Sequence, residues 1–226
     1  MHACKALVRL RFRAPQRKSL SGTALEALGA RIRACRICRD TPDGAALPHE
    51  PRPILAESSV ARIVIASQAP GTRAHASGVP FDDASGARLR DWFGVSREEF
   101  FRPGNFIIAP MGFCFPGLDA AGGDLPPRRE CAPAWREPLL AGMPQADLFL
   151  LVGMHAQAWH LGKRRARTLG ETVARWRTVW DASDSPRMMP LPHPSWRNTS
   201  WLKRNPWFEE DVLPVLRSAI RERLLR

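Results

Sequence analysis

The 226-residue chain reads as a single three-layer α/β/α domain built on a four-stranded, mostly parallel central sheet. Three observations lead there. Short apolar runs alternate along the chain with longer segments of helical spacing. The runs are apolar throughout, as strands buried on both faces require. The length suffices for one well-buried domain and is short for two. The domain is expected over 26–226, preceded by a basic, flexible tail over 1–25.

Leu25, Leu28 and Ile32 recur at helical spacing within 20–35, and 38–53 is a Pro-, Gly- and Asp-rich loop. Strands are expected at 62–67, 105–110, 148–152 and 187–191. Helical segments are expected at 85–93, 131–142, 154–180 and 206–225. The Pro- and Gly-rich stretch 117–129 is a surface loop of the kind that often serves binding. The chain has no internal repeat and no low-complexity tract.

The net charge of +12 comes from 34 basic residues against 22 acidic ones, and only Lys5, Lys18, Lys163 and Lys203 are lysines. The surplus is thus guanidinium, which suits bidentate phosphate contact and stacking on bases. A polyanionic partner fits this balance, as do a basic proteome and simple solubility. No apolar stretch reaches membrane-spanning length and no secretory signal core is visible, so an intracellular, cytoplasmic, nucleoid-associated monomer is expected. The tail, with Lys5, Arg9, Arg11, Arg13, Arg17 and Lys18, reads as an organellar address, a DNA-touching arm or a poorly ordered end.

Cys35 and Cys38 form a C-x-x-C pair after the first helix, Cys114 follows the second strand, Cys131 opens a later helix, and Cys4 stands apart in the tail. In a reducing compartment such a set argues for thiolate ligation of zinc or a 4Fe-4S cluster. The alternative is a pair of small buried cysteines and an incidental C-x-x-C.

Two short stretches carry the chemistry. Ser67-Gln68-Ala69-Pro70-Gly71 follows Ile63-Val64-Ile65, with Phe81-Asp82-Asp83 just beyond, and His193-Pro194-Ser195 follows Met188-Met189-Pro190-Leu191. Both would lie at the carboxyl ends of parallel strands, where open α/β sheets place their ligands. By themselves, Phe81 can equally plug the core, and Asp82 or Asp83 can cap the helix starting near Ser85.

Taken together these residues resemble the uracil-DNA glycosylase superfamily, most closely its iron-sulfur branch, often called family 4, over about 31–225 and with a divergent first motif. The resemblance implies that Cys35, Cys38, Cys114 and Cys131 hold a structural 4Fe-4S cluster, with zinc the runner-up. It implies that Gln68, Ala69, Pro70 and Gly71 wrap deoxyribose and base, that Phe81 stacks on the extruded base, and that His193 donates a hydrogen bond to a base oxygen. The chemistry explains these types: breaking the bond from C1′ to a pyrimidine nitrogen leaves an oxocarbenium-like sugar and an anionic base, and the base must first leave the stack.

The sequence departs from the family twice. Gln68 and Ala69 stand where many relatives have Asp or Glu, so Asp83 is the candidate carboxylate, because another branch carries one shortly after the stacking aromatic and before Ser-Gly. Asp82 is the reserve. The asparagine usually found after strand two is replaced by Ala109-Pro110-Met111-Gly112, leaving recognition to backbone groups of Met111, Gly112 and Phe113. Tyrosine, which blocks thymine in some relatives, is absent.

Arg197 is the expected wedge in the loop that relatives push into the minor groove, with Ser195, Asn198 and Lys203 facing DNA and the Gly153 N-H offered to a phosphate. The expected function is a monofunctional glycosylase that removes uracil from DNA and leaves an abasic site. A uracil- or abasic-DNA binder, and a glycosylase for hypoxanthine or xanthine, are the alternatives. Covalent trapping through a histidine after strand two is excluded, since 117–129 has none.

Overall fold

Ile63, Val64, Ile65 and Ala66 are all fully buried, and this run sits in the middle of the sheet because both of its faces are apolar. The computed structural model describes residues 22–182 and 185–225. The basic segment, including Cys4, lies outside the described residues as far as residue 21. The strands are β1 (Ile63–Ala66), β2 (Phe106–Ile108), β3 (Leu148–Val152) and β4 (Arg187–Leu191), in the order β2-β1-β3-β4 and parallel at every pairing. Ile63 pairs with Phe106 on one side and Leu148 on the other, and Leu148 pairs with Arg187.

The helices, in chain order, are α1 (Gly22–Arg33), α2 (Ile37–Asp40), α3 (Thr72–Ser77), α4 (Ala84–Phe93), α5 (Arg97–Phe101), α6 (Cys131–Ala141), α7 (Met154–Leu161), α8 (Leu169–Ala174), α9 (Trp176–Asp181), α10 (Thr199–Arg204) and α11 (Leu213–Leu224). Strand alternation sorts them into layers. Val64, Ala66, Ile107, Phe149 and Leu151 pack with Leu28 and Ile32 of α1 and Leu139 of α6. Ile63, Ile65, Ile108, Leu150 and Leu191 pack with Leu89 and Phe93 of α4 and Leu216 and Ile220 of α11. The result is a three-layer α/β/α fold. Each fully buried Ile or Leu stabilises it by about 1.5–3 kcal/mol.

The helical stretch 154–180 is broken into α7, α8 and α9. Gly162 takes a left-handed φ of +53° after α7, and a capping box of Thr168 and Glu171 starts α8 afresh. At the amino ends of the strands, Asp147 pairs with Arg62 and, at 2.5 Å, with Arg223 of α11. Among the described residues no helix is long and apolar enough to cross a membrane.

Candidate active site

At the opposite, carboxyl ends of the strands a cleft of about 490 Å³ opens, lined by the turn after β1, the end of β2, the loop after β4, the turn before α4 and the loop after β2. It lies beside the β1/β3 boundary, where strand order reverses and two connections diverge. The Ser67 and Gln68 carbonyls accept hydrogen bonds from the N-H groups of Met111 and Gly112 at 2.8 and 3.0 Å, which fixes the turn against the segment after β2. Gln68, Ala69, Pro70 and Gly71 all line the cleft.

Phe81 also faces it, with φ at +57°, a left-handed conformation that a bulky residue rarely adopts. Two contacts hold the ring and backbone: an edge-on packing with Phe100, ring centroids 6.0 Å apart, and a hydrogen bond from Arg90 to the Phe81 carbonyl. Gly86 is required here, because a Cβ would lie 1.9 Å from that carbonyl oxygen. Backbone strain of this kind, about 1–3 kcal/mol, persists where the surroundings enforce it and is common at ligand sites.

The two aspartates diverge. Asp83 caps α4, accepting from Gly86 N at 2.7 Å through Oδ1, and also lines the cleft, so the capping and pocket readings hold together. Asp82 turns away to Arg97 at 3.0 Å, and that hydrogen bond holds its carboxyl below the ordinary value. It does not line the cleft, so the reserve role has no geometric support.

His193 lines the same cleft as Phe81. Its Nδ1 accepts from Ser195 N at 3.3 Å, which leaves the proton on Nε2 as a donor. Burial holds the imidazole below its usual pKa, against a weaker upward pull from Asp83, so the ring is neutral near pH 7. Asn198 donates to the His193 carbonyl at 2.7 Å and Arg88 to the Ser195 carbonyl at 3.0 Å, bracing the loop from within. Asn198 therefore positions His193. Trp196 is 76% exposed and Arg197 lies over its ring at 5.8 Å, making the tip of this loop. Lys203 is exposed on α10, whereas Trp201 packs edge-on against Trp207.

Two expectations are corrected by hydrogen bonding. Met111, Gly112 and Phe113 are buried outside the cleft, and their N-H groups are committed to Ser67 O, Gln68 O and the Cys131 sulfur. Below them Arg136, 1% exposed and lowered to about 9 by burial, donates to the carbonyls of Ala109 and Pro110. These N-H groups are therefore taken and are not offered to a base. Gly153 is buried too, and its N-H donates to Leu191 O, so no phosphate can use it. A Cβ there would lie 3.7 Å from His193, so the residue instead backs that imidazole.

Cys35, Cys38, Cys114 and Cys131 are unpaired thiols lining one small enclosure beneath α1 and α6. Among the described residues no three His, Cys, Asp or Glu side chains stand as a ready-made metal group. The surroundings nonetheless suit anionic sulfur: Phe113 N and Trp135 Nε1 each donate to a cysteine sulfur at 3.3 Å. As free thiols Cys38, Cys114 and Cys131 are poor nucleophiles, since burial pushes Cys114 up to about 12 and raises Cys131 and Cys38 as well.

One cleft residue escaped the sequence reading. Asp124 enters from the loop after β2, and a Cβ on Gly71 would lie 3.4 Å from its Oδ2. Only the pairing within that loop, absent from any local motif, brings it there.

Comparison with protein families matches residues 56–217, more than half of the chain, to the Uracil DNA glycosylase superfamily. The chain belongs to that superfamily, and with it to the DNA-binding repair glycosylases that act on uracil and other deaminated bases. Cys114 and Cys131 fall inside the matched segment, and Cys35 and Cys38 precede it.

Proposed function

We propose that the protein hydrolyses the N-glycosidic bond of uracil in DNA, leaving an abasic site without cutting the strand. The observation that carries this reading is the neutral His193, its proton on Nε2, lining one cleft together with the strained Phe81. The extruded base stacks on Phe81, which offsets part of the unstacking cost. His193 Nε2-H donates to a base oxygen as negative charge grows there, and a neutral donor does so without protonating the leaving group outright. Asp83, its second oxygen free of the cap, faces the sugar and stabilises the oxocarbenium-like charge. Trp196 and Arg197 enter the duplex where the base has left, and Lys203 meets the backbone. Gln68 stands at the cleft wall with its Nε2 donating to Leu125 O, so it shapes that wall.

Cys35, Cys38, Cys114 and Cys131 would hold a 4Fe-4S cluster, with zinc second. Four thiols around one enclosure and two N-H donors aimed at sulfur support that fit. When bound, such a group supplies a structural cross-link between α1, α2 and the sheet. Single-turnover assays on oligonucleotides carrying uracil, hypoxanthine or xanthine test the reading. Uracil release with an alkali-labile, otherwise intact strand is expected. Release of only the purines would transfer the assignment to another deaminated base.

A further inference from the structure

The first motif has no carboxylate, yet the cleft has two. Asp83 commits Oδ1 to the α4 cap, whereas Asp124 makes no hydrogen bond or ion pair with any described residue. The loop that delivers Asp124 is built, not slack. Leu118 and Asp124 form an antiparallel bridge, Leu125 N donates to Gly117 O at 2.9 Å, and Asp119 Oδ1 accepts from Ala121 N and Gly123 N at 2.9 and 2.8 Å. Gly117 and Gly122 supply the left-handed turns, at φ of +102° and +74°. Gln68 Nε2 reaches Leu125 O at 3.4 Å, tying the loop to the first-motif turn, so the Asp124 carboxylate lies against Gly71.

We propose that Asp124 is the catalytic base, orienting and deprotonating the attacking water in place of the carboxylate missing at Gln68-Ala69. This inference rests on the glycosylase reading and deepens it. The water oxygen bonds to C1′ as the C1′-N bond breaks. The electron pair leaves with the base, whose charge meets His193, and the water proton passes to Asp124 and then to solvent. Desolvation raises the Asp124 carboxyl above its ordinary value, and Asp83 and Asp119 push the same way against a downward pull from Arg197. A raised value makes the carboxylate a stronger proton acceptor.

The test is the single-turnover rate of base release against pH for wild type, Asp124→Asn, Asp124→Glu and Asp124→Ala, with uracil-duplex affinity and thermal melting measured on each. In wild type the rate climbs with pH until Asp124 is ionised and then levels. Asp124→Asn and Asp124→Ala lower the plateau by about 10²–10⁴-fold and abolish the climb, with affinity and melting unchanged, and Asp124→Glu restores part of both. Asp124→Asn retaining the wild-type rate and pH profile overturns this inference alone. A wild-type protein that releases no base overturns it together with the glycosylase reading.

Discussion

The strand-end cleft and the cysteine enclosure are both shaped by desolvation, with opposite chemical results. In the cleft, withdrawal from water moves His193 down and Asp124 up. It leaves a neutral N-H donor and a more basic carboxylate on the same wall system. In the enclosure, the same physics drives Cys114 to about 12 and raises Cys38 and Cys131, keeping these three thiols protonated. Burial therefore prepares acid-base and hydrogen-bonding groups for work near neutrality and silences thiols unless a metal claims their protons.

The contrast breaks most sharply at His193. Replacing it with Ala removes the donor to the anionic base and is expected to lower single-turnover release by about 10²–10³-fold with duplex affinity little changed. An equal loss of affinity in gel-shift titration would instead make His193 a binding residue. Next comes Phe81: Gly86→Ala forces a Cβ into the Phe81 carbonyl, and the turn must shift. A loss of about 1–3 kcal/mol in chemical denaturation, with weakened uracil-duplex binding, is expected. Trp196→Ala tests the loop tip, with a loss of about 1–3 kcal/mol in duplex binding and an unchanged melting temperature.

On the other side of the comparison, Cys114→Ser is expected to lower iron and sulfide content and thermal stability in anaerobic preparations. Retention of iron near wild-type levels would remove Cys114 from the ligand set. The smallest effect belongs to Asp82→Asn, which weakens a surface pairing with Arg97 and Ser77 away from the cleft and should leave the rate of base release unchanged.

The sequence made the sheet legible because β1 to β4 are apolar runs with few alternative uses, and their expected positions match within about two residues. It made His193 legible because it stands beside Pro194 just past the end of β4, and Phe81 because it follows Pro80 in the turn before α4. Shorter elements were missed although one signal was present: Ser96 and Glu99 form the capping box that starts α5. The backbone role given to Met111, Gly112 and Phe113 failed for a reason no single segment contains. Their N-H groups are consumed by the neighbouring turn and a cysteine, a tertiary pairing with partners 18 to 44 residues distant in sequence and invisible to periodicity. Asp124 was hidden likewise, since its place depends on a loop folding back across the first motif.

The most direct test of the central claim is a crystal structure of the protein with a duplex carrying a non-hydrolysable uracil nucleotide. The base should lie on the Phe81 ring with an oxygen in hydrogen-bond reach of His193 Nε2. A uracil left stacked in the duplex, or seated elsewhere with the cleft filled by water, would contradict it.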